Sequence, residues 1–349
     1  MAPLTGARIL VTGASGFIGG RLTECLCASY GAVVHAVARR SGTAGFARLV
    51  RLRNVTIFHG DIARTDVLAR AAEGCRFAVH CAQENQGNVR AQEESSHRGL
   101  RKLLEAAARA GMERVVHLSS ASVVSPAGKI GNITEETPAD IRFPYARLKM
   151  KTEEWLKSIA AEYGLWPVIL RPTCVWGPFS PVWTVNPALL MRQGTFVPPA
   201  GGEGTANLVY VDNLVDAIVL SLVRADVAGR TLTINDDEPA RWKELFDGYA
   251  AALGMAVPSS PKAFLIPPAA GGLLLRMKGR LPLAQTLWNA LPERARQFLR
   301  RNVPPDPSTV DLFTARCRYS NRKAREILGW KPRLSFQEAM ARTQKFLTE

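Results

Sequence analysis

"ILVTGASGFIGG", residues 9–20, runs an aliphatic stretch straight into three glycines, Gly13, Gly16 and Gly19, and then into a helical pattern. Glycine permits a tight turn and a close backbone approach to a ligand. The amides and positive dipole end of the helix that follows suit an anion. The spacing is G-x-x-G-x-x-G rather than the commoner G-x-G-x-x-G. Placed between a first strand and a first helix, it reads as the pyrophosphate turn of a dinucleotide-binding fold. A tight turn without a ligand is the competing reading, and the rest of the chain decides between them.

Working outward, "RILVT" (8–12), "AVVHAVA" (32–38), "VTIFHG" (55–60), "RFAVHCA" (76–82), "RVVHLSS" (114–120) and "WPVILRP" (166–172) are short apolar runs of buried-strand character. The segments between them, such as "FIGGRLTECLCASY" and "HRGLRKLLEAAARAG", carry apolar residues at three- and four-residue intervals. Strand and helix alternating in this way predict an α/β fold, a Rossmann-type doubly wound parallel sheet. After Pro172 the rhythm breaks, and only "NLVYV" followed by "DNLVDAIVLSLV" restores it. The expected division is a dinucleotide-binding domain of residues 1–175 plus about 207–236. Residues 176–206 plus 237–349 form a smaller, mostly helical substrate lobe.

The second strand ends "AVARR", so Ala38 stands where an acidic residue would bind the ribose 2′-hydroxyl of NAD, and Arg39 and Arg40 follow. An arginine pair there suits a 2′-phosphate, which favours NADP(H) over NAD(H). A solvated Arg-Arg loop is the alternative. Asp61, in "HGDI", is placed to meet the adenine amino group or to cap the next helix.

The chain has 349 residues, is 47% apolar and carries a formal charge of +15. No secretory signal or membrane span is expected, since "AFLIPPAAGGLLL" (263–275) is short and broken by Pro-Pro and Gly-Gly. The six cysteines show no C-x-x-C spacing, which points to a reduced, cytoplasmic protein without a metal site. Residues 262–333 hold 15 Lys or Arg against 4 Asp or Glu. Their basic amphipathic stretch, about 264–303, suits an anionic membrane surface or nucleic acid, and equally a solvated helical lobe.

"FPYARLKMK" (143–151) sets Tyr145 four residues before Lys149 on a predicted helix, hence on one face. Together with the glycine loop, "GDI" (60–62), "VHCAQ" (79–83), "HLSSASVV" (117–124), Y-x-x-x-K and "LRPTCVWGP" (170–178), the chain resembles the extended short-chain dehydrogenase/reductase superfamily along nearly its whole length. The resemblance implies Ser120, Tyr145 and Lys149 as the catalytic set, with Ser119 the neighbour that register alone separates from Ser120. It implies cofactor contacts from Gly13, Ser15, Gly16, Phe17, Ile18, Gly19, Arg39, Arg40, Asp61, Ile62, Cys81, Ala82, Tyr145, Lys149, Pro172 and Val175. A free tyrosine titrates near 10, and Lys149 is the cation expected to lower that value and to bind the nicotinamide ribose. Tyr145 would exchange a proton with the substrate oxygen while hydride moves between carbon and nicotinamide. The pattern departs from the family at Val123–Val124–Ser125, at Gln83 after Ala82, and at Ser96, where asparagine is frequent three residues before Gly99.

Nucleotide-sugar members typically carry an arginine where Ala206 opens "ANLVYVDN". The resemblance is therefore nearer the 3β-hydroxysteroid dehydrogenase-like branch, with a secondary alcohol or ketone on a hydrophobic, steroid-like small molecule as substrate. Trp176, Phe179, Trp183, Phe196, Pro198 and Pro199 are candidates for an apolar substrate wall or for the lobe's own core. A nucleotide-sugar epimerase or dehydratase is the enzymatic alternative. A dinucleotide-sensing regulatory protein is the alternative of another class, and the retained Tyr145–Lys149 pair argues against it and against a nucleic-acid partner. Homodimerisation through paired helices and a peripheral membrane contact through about 264–303 complete the expectations.

Overall fold

The computed structural model describes residues 4–63, 65–84, 88–124, 128, 130–257 and 307–349. The expected basic segment 264–303 lies outside them. The strands are β1 (Arg8–Thr12), β2 (Val33–Ala38), β3 (Val55–His59), β4 (Phe77–His80), β5 (Arg114–Leu118), β6 (Ile130–Ile133), β7 (Val168–Pro172), β8 (Cys174–Trp176), β9 (Thr205–Ala206), β10 (Leu208–Tyr210), β11 (Thr231–Ile234), β12 (Ala240–Arg241) and β13 (Arg316–Tyr319). The helices are α1 (Phe17–Tyr30), α2 (Ala44–Val50), α3 (Thr65–Ala72), α4 (Val89–Arg109), α5 (Pro144–Glu162), α6 (Asn186–Arg192), α7 (Val211–Val223), α8 (Trp242–Ala252), α9 (Pro307–Phe313) and α10 (Phe336–Thr348).

Seven strands form one parallel sheet in the order β11-β7-β5-β4-β1-β2-β3. The chain winds outward from β1 in both directions, so β1 and β4 flank a topological switch point. Ligands of such sheets bind outside the carboxyl ends of the strands at that point. Strand residues alternate between two buried faces. Ile9, Val11, Val79, Val116, Leu118, Val168 and Leu170 pack with Leu22, Leu26, Leu214 and Ile218 of α1 and α7. Leu10, Ala78, Val115 and Ile169 pack with Leu68, Leu103, Leu104, Leu156 and Ile159 of α3, α4 and α5. Each fully buried leucine or isoleucine contributes roughly 1.5–3 kcal/mol, so both layers hold the sheet flat against its helices.

Where the chain returns to the sheet it does so only in part. β11 adds beside β7, whereas β10, the "NLVYV" run, pairs with β8 in a separate two-stranded ladder. Only Thr173 separates β7 from β8, and β8 takes β10 as its partner instead of extending the main sheet. The aromatic residues named as a candidate substrate wall mostly pack into the buried cluster that continues under the main sheet. Trp176 and Phe196 are buried, Trp183 meets Trp242 in a tilted pair at 4.8 Å, and Phe196 meets Phe246 edge-on at 4.6 Å. Phe179 alone stays 40% exposed, resting on Phe346 beneath the Arg48 guanidinium.

Candidate active site

Gly13 has φ +69°, in the left-handed region, and a side chain there would come within 2.7 Å of the Ala82 backbone. A Cβ at Gly19 would lie 2.4 Å from the Gly13 carbonyl oxygen. These two glycines therefore let β1 turn directly under the loop that leaves β4. Gly16 caps α1 without a side-chain hydrogen bond, and no acidic residue stands in the first turn. The leading amides of α1 thus face outward with no side chain competing for them.

A cleft of about 530 Å³ opens over this turn, within the range of small-molecule sites. Gly13, Ser15, Gly16, Arg39, Arg40, Asp61, Ile62, Cys81, Ala82 and Lys149 all line it. Of the other cofactor candidates, Phe17 and Ile18 pack partly into the core, and Val175 is buried there. Gly19 and Pro172 lie on the elements around the cleft without lining it. Asp61 accepts a hydrogen bond from the Ala63 amide at 2.8 Å while still facing the cleft. Ile62 packs against the flat spot on α4 that Gly99 provides.

Pro144 occupies the first turn of α5, where its missing N–H costs nothing, and so fixes Tyr145 at the helix start. One turn on, Lys149 lies in the buried stripe of α5, 7% exposed, where the pattern would otherwise take an apolar residue. Its Nζ donates to the Leu118 carbonyl at 3.0 Å and sits 5.9 Å from the Tyr145 ring centre. Burial lowers its pKa to about 8, with Cys81 and Glu153 acting the other way. Tyr145 and Ser120 do not line the cleft; the Ser120 side chain lies near enough to the phenol to favour its ionised form. Ser119 points elsewhere: it is buried and donates to Glu153 Oε1. Glu153 also takes two hydrogen bonds from Arg171 at 2.9 and 2.7 Å, which ties α5 to β7.

The expected acidification of Tyr145 by Lys149 is not what the structure shows. Although Tyr145 is 48% exposed, its hydroxyl is crowded by protein, and this burial pushes the phenol above its usual value while the Ser120 side chain pulls it back. The ammonium is directed at a backbone carbonyl instead. Near neutrality the group is a phenol, a proton donor.

Sequence reasoning missed a polar row. Thr12, His80 and His117 stand in register on β1, β4 and β5, on the face that carries α4 and α5. Thr12 Oγ1 and His80 Nδ1 are 2.7 Å apart, and the two imidazoles stack at 5.2 Å. Both histidines line the cleft; burial, with Lys149 nearby, lowers His80 to about 3 and His117 well below its usual value, so both are neutral. Neither ring nitrogen of His117 has a partner among the described residues. The signal was available in "VHC" and "VHL", where a histidine replaces an apolar residue at the same strand position. Cys81, also in the cleft, is pushed up to about 12 by burial and stays a thiol.

The uncapped helix end, the glycine turn and the flanking cations suit a dinucleotide, and the comparison with known proteins agrees. The model of the NAD dependent epimerase/dehydratase family matches residues 9–235. The chain belongs to this family. Membership carries a nicotinamide dinucleotide as cofactor. A 3-beta-hydroxysteroid dehydrogenase of Mycolicibacterium neoaurum is 27% identical, covering 98% of this chain and 92% of that protein. An uncharacterized protein, y4nL, of Sinorhizobium fredii is also 27% identical, over 97% of this chain and 95% of its own. Among solved structures, UDP-glucuronic acid 4-epimerase from Bacillus cereus, in complex with NAD, superposes with TM-score 0.73 at 18% identity, covering 97% and 96% of the two chains. The dTDP-glucose 4,6-dehydratase DesIV from Streptomyces venezuelae gives 0.73 at 24% identity, with the same coverage. At these identities the structures establish the shared fold alone. Among the described residues no helix is long and apolar enough to cross a membrane.

Proposed function

We propose that this family member is an NADP(H)-linked oxidoreductase acting on a secondary alcohol or ketone of a hydrophobic, steroid-like molecule. The observation that carries the reading is a buried Lys149 that lines the dinucleotide cleft one helical turn from Tyr145, its Nζ 5.9 Å from the ring centre. A bound nicotinamide supplies or accepts the hydride. Ser120 orients the substrate oxygen, and Tyr145, kept protonated by its enclosure, donates its proton to that oxygen as a ketone is reduced. Lys149 holds the nicotinamide ribose and supplies a positive charge for the phenolate that remains. Arg39 and Arg40 at the end of β2 support the preference for NADP(H).

A nucleotide-sugar epimerase or dehydratase is the second reading, favoured by the solved structures that share the fold. Against it, Ala206 is 2% exposed in the β9–β12 pair and offers no cation to a diphosphate. The similarity to a 3-beta-hydroxysteroid dehydrogenase supports the first. Incubation of ketones, sterols and nucleotide sugars with NADPH and NADH separates the two. Stoichiometric loss of reduced dinucleotide with a ketone, or its stoichiometric formation when a sterol is incubated with the oxidised dinucleotide instead, is the expected result. Conversion of a nucleotide sugar with no net loss would transfer the protein to the second reading.

A further inference from the structure

The outer end of the cleft carries a charge pair that its glycine turn does not require. Arg39 follows β2 directly, and its Nη1 donates to Oε2 of Glu84, in the segment that leaves β4. Both residues line the cleft, Arg39 with 39% and Glu84 with 13% of its side chain exposed. Ala38, the last residue of β2, is buried and apolar, so Glu84 brings a carboxylate to the strand end that lacks its own. The adenosine ribose of a dinucleotide lies at this strand end, and NADP differs from NAD there by one phosphate. A guanidinium does not lose its proton, so only its partner can change.

We propose that Glu84 is the specificity-determining residue of the dinucleotide site. It occupies the Arg39 fork and places a negative charge beside the ribose 2′ position, which lowers the affinity for a 2′-phosphorylated dinucleotide. Arg39 keeps 39% of its side chain exposed, so a phosphate can reach it from solvent and compete with the carboxylate, which remains close and repels it. Selectivity is then a balance between Arg39 and Arg40, which attract the phosphate, and Glu84, which opposes them. This rests on the reading of the cleft as a dinucleotide site.

The test is the Kd of NADPH and of NADH, measured by calorimetry on the full chain for wild type, Glu84→Gln, Glu84→Ala, Arg39→Ala and the Glu84→Gln/Arg39→Ala double variant. Glu84→Gln is expected to tighten NADPH about tenfold and to change NADH less than twofold. Glu84→Ala is expected to move NADPH in the same direction, and the gain should shrink but persist when Arg39 is also removed, since the repulsion is relieved in either background. Unchanged or weakened NADPH binding in both Glu84 variants, with wild type binding both dinucleotides, would overturn this proposal alone. So would weakened NADH, which would make the carboxylate an acceptor for the 2′-hydroxyl. Absence of binding of either dinucleotide to wild type would overturn the cleft reading together with it.

Discussion

The two ends of the cleft are built on opposite terms. At the inner end Lys149 is buried, hydrogen-bonded to a strand carbonyl and held on a helix that Glu153 and Arg171 anchor to β7. At the outer end Arg39 is partly solvated and paired with a loop carboxylate. Fixed geometry suits proton transfer, where a small misplacement costs much of the rate. An exchangeable ion pair suits discrimination between ligands that differ by one phosphate. On the proposed reading the cleft would place its chemistry on rigid elements and its selectivity on replaceable contacts.

Several changes would break or sharpen that contrast. Lys149→Met strips the inner end of its charge and leaves the Leu118 carbonyl without its donor; kcat/KM should fall about a thousandfold, measured by NADPH oxidation. Arg171→Ala leaves the buried Glu153 without its ion-pair partner, with the Ser119 hydroxyl as its remaining donor among the described residues, and should cost about 3 kcal/mol in a urea titration, although neither residue lines the cleft. If it proves neutral, the inner end is not anchored as described. Lys149 gives the pH dependence. Its free-protein pKa of about 8 lies in the working range, and the protonated form binds the anionic dinucleotide better. Affinity should therefore fall as pH rises from 7 to 9.5, and should stay flat over the same interval in Lys149→Met. The smallest effect belongs to the outer end: Arg40→Ala should weaken NADPH about fivefold while NADH moves much less, by calorimetry.

What the sequence made legible was local. The glycine turn lies within seven residues, Tyr145 and Lys149 within five, and the strand-helix alternation repeats in plain view. What it concealed depends on register and burial. Thr12 and His80 meet across 68 positions because β1 and β4 pair, and Arg39 and Glu84 meet across 45. The phenol's displacement was misjudged because spacing shows which charge is near but not how deeply a group is enclosed or where its neighbour's donor points. After β7 the aromatic content was visible while its direction was not. Trp176 is buried on β8, paired with Tyr210 of β10.

The central claim is that Tyr145 passes the proton while the dinucleotide is held independently of it. Single-turnover hydride transfer from NADPH to a ketone found active in the substrate panel, with NADPH affinity measured on the same samples of wild type and Tyr145→Phe, tests this most directly. The account predicts a Kd within about threefold of wild type and a transfer rate lower by about a thousandfold. Transfer that continues near the wild-type rate in Tyr145→Phe would contradict it.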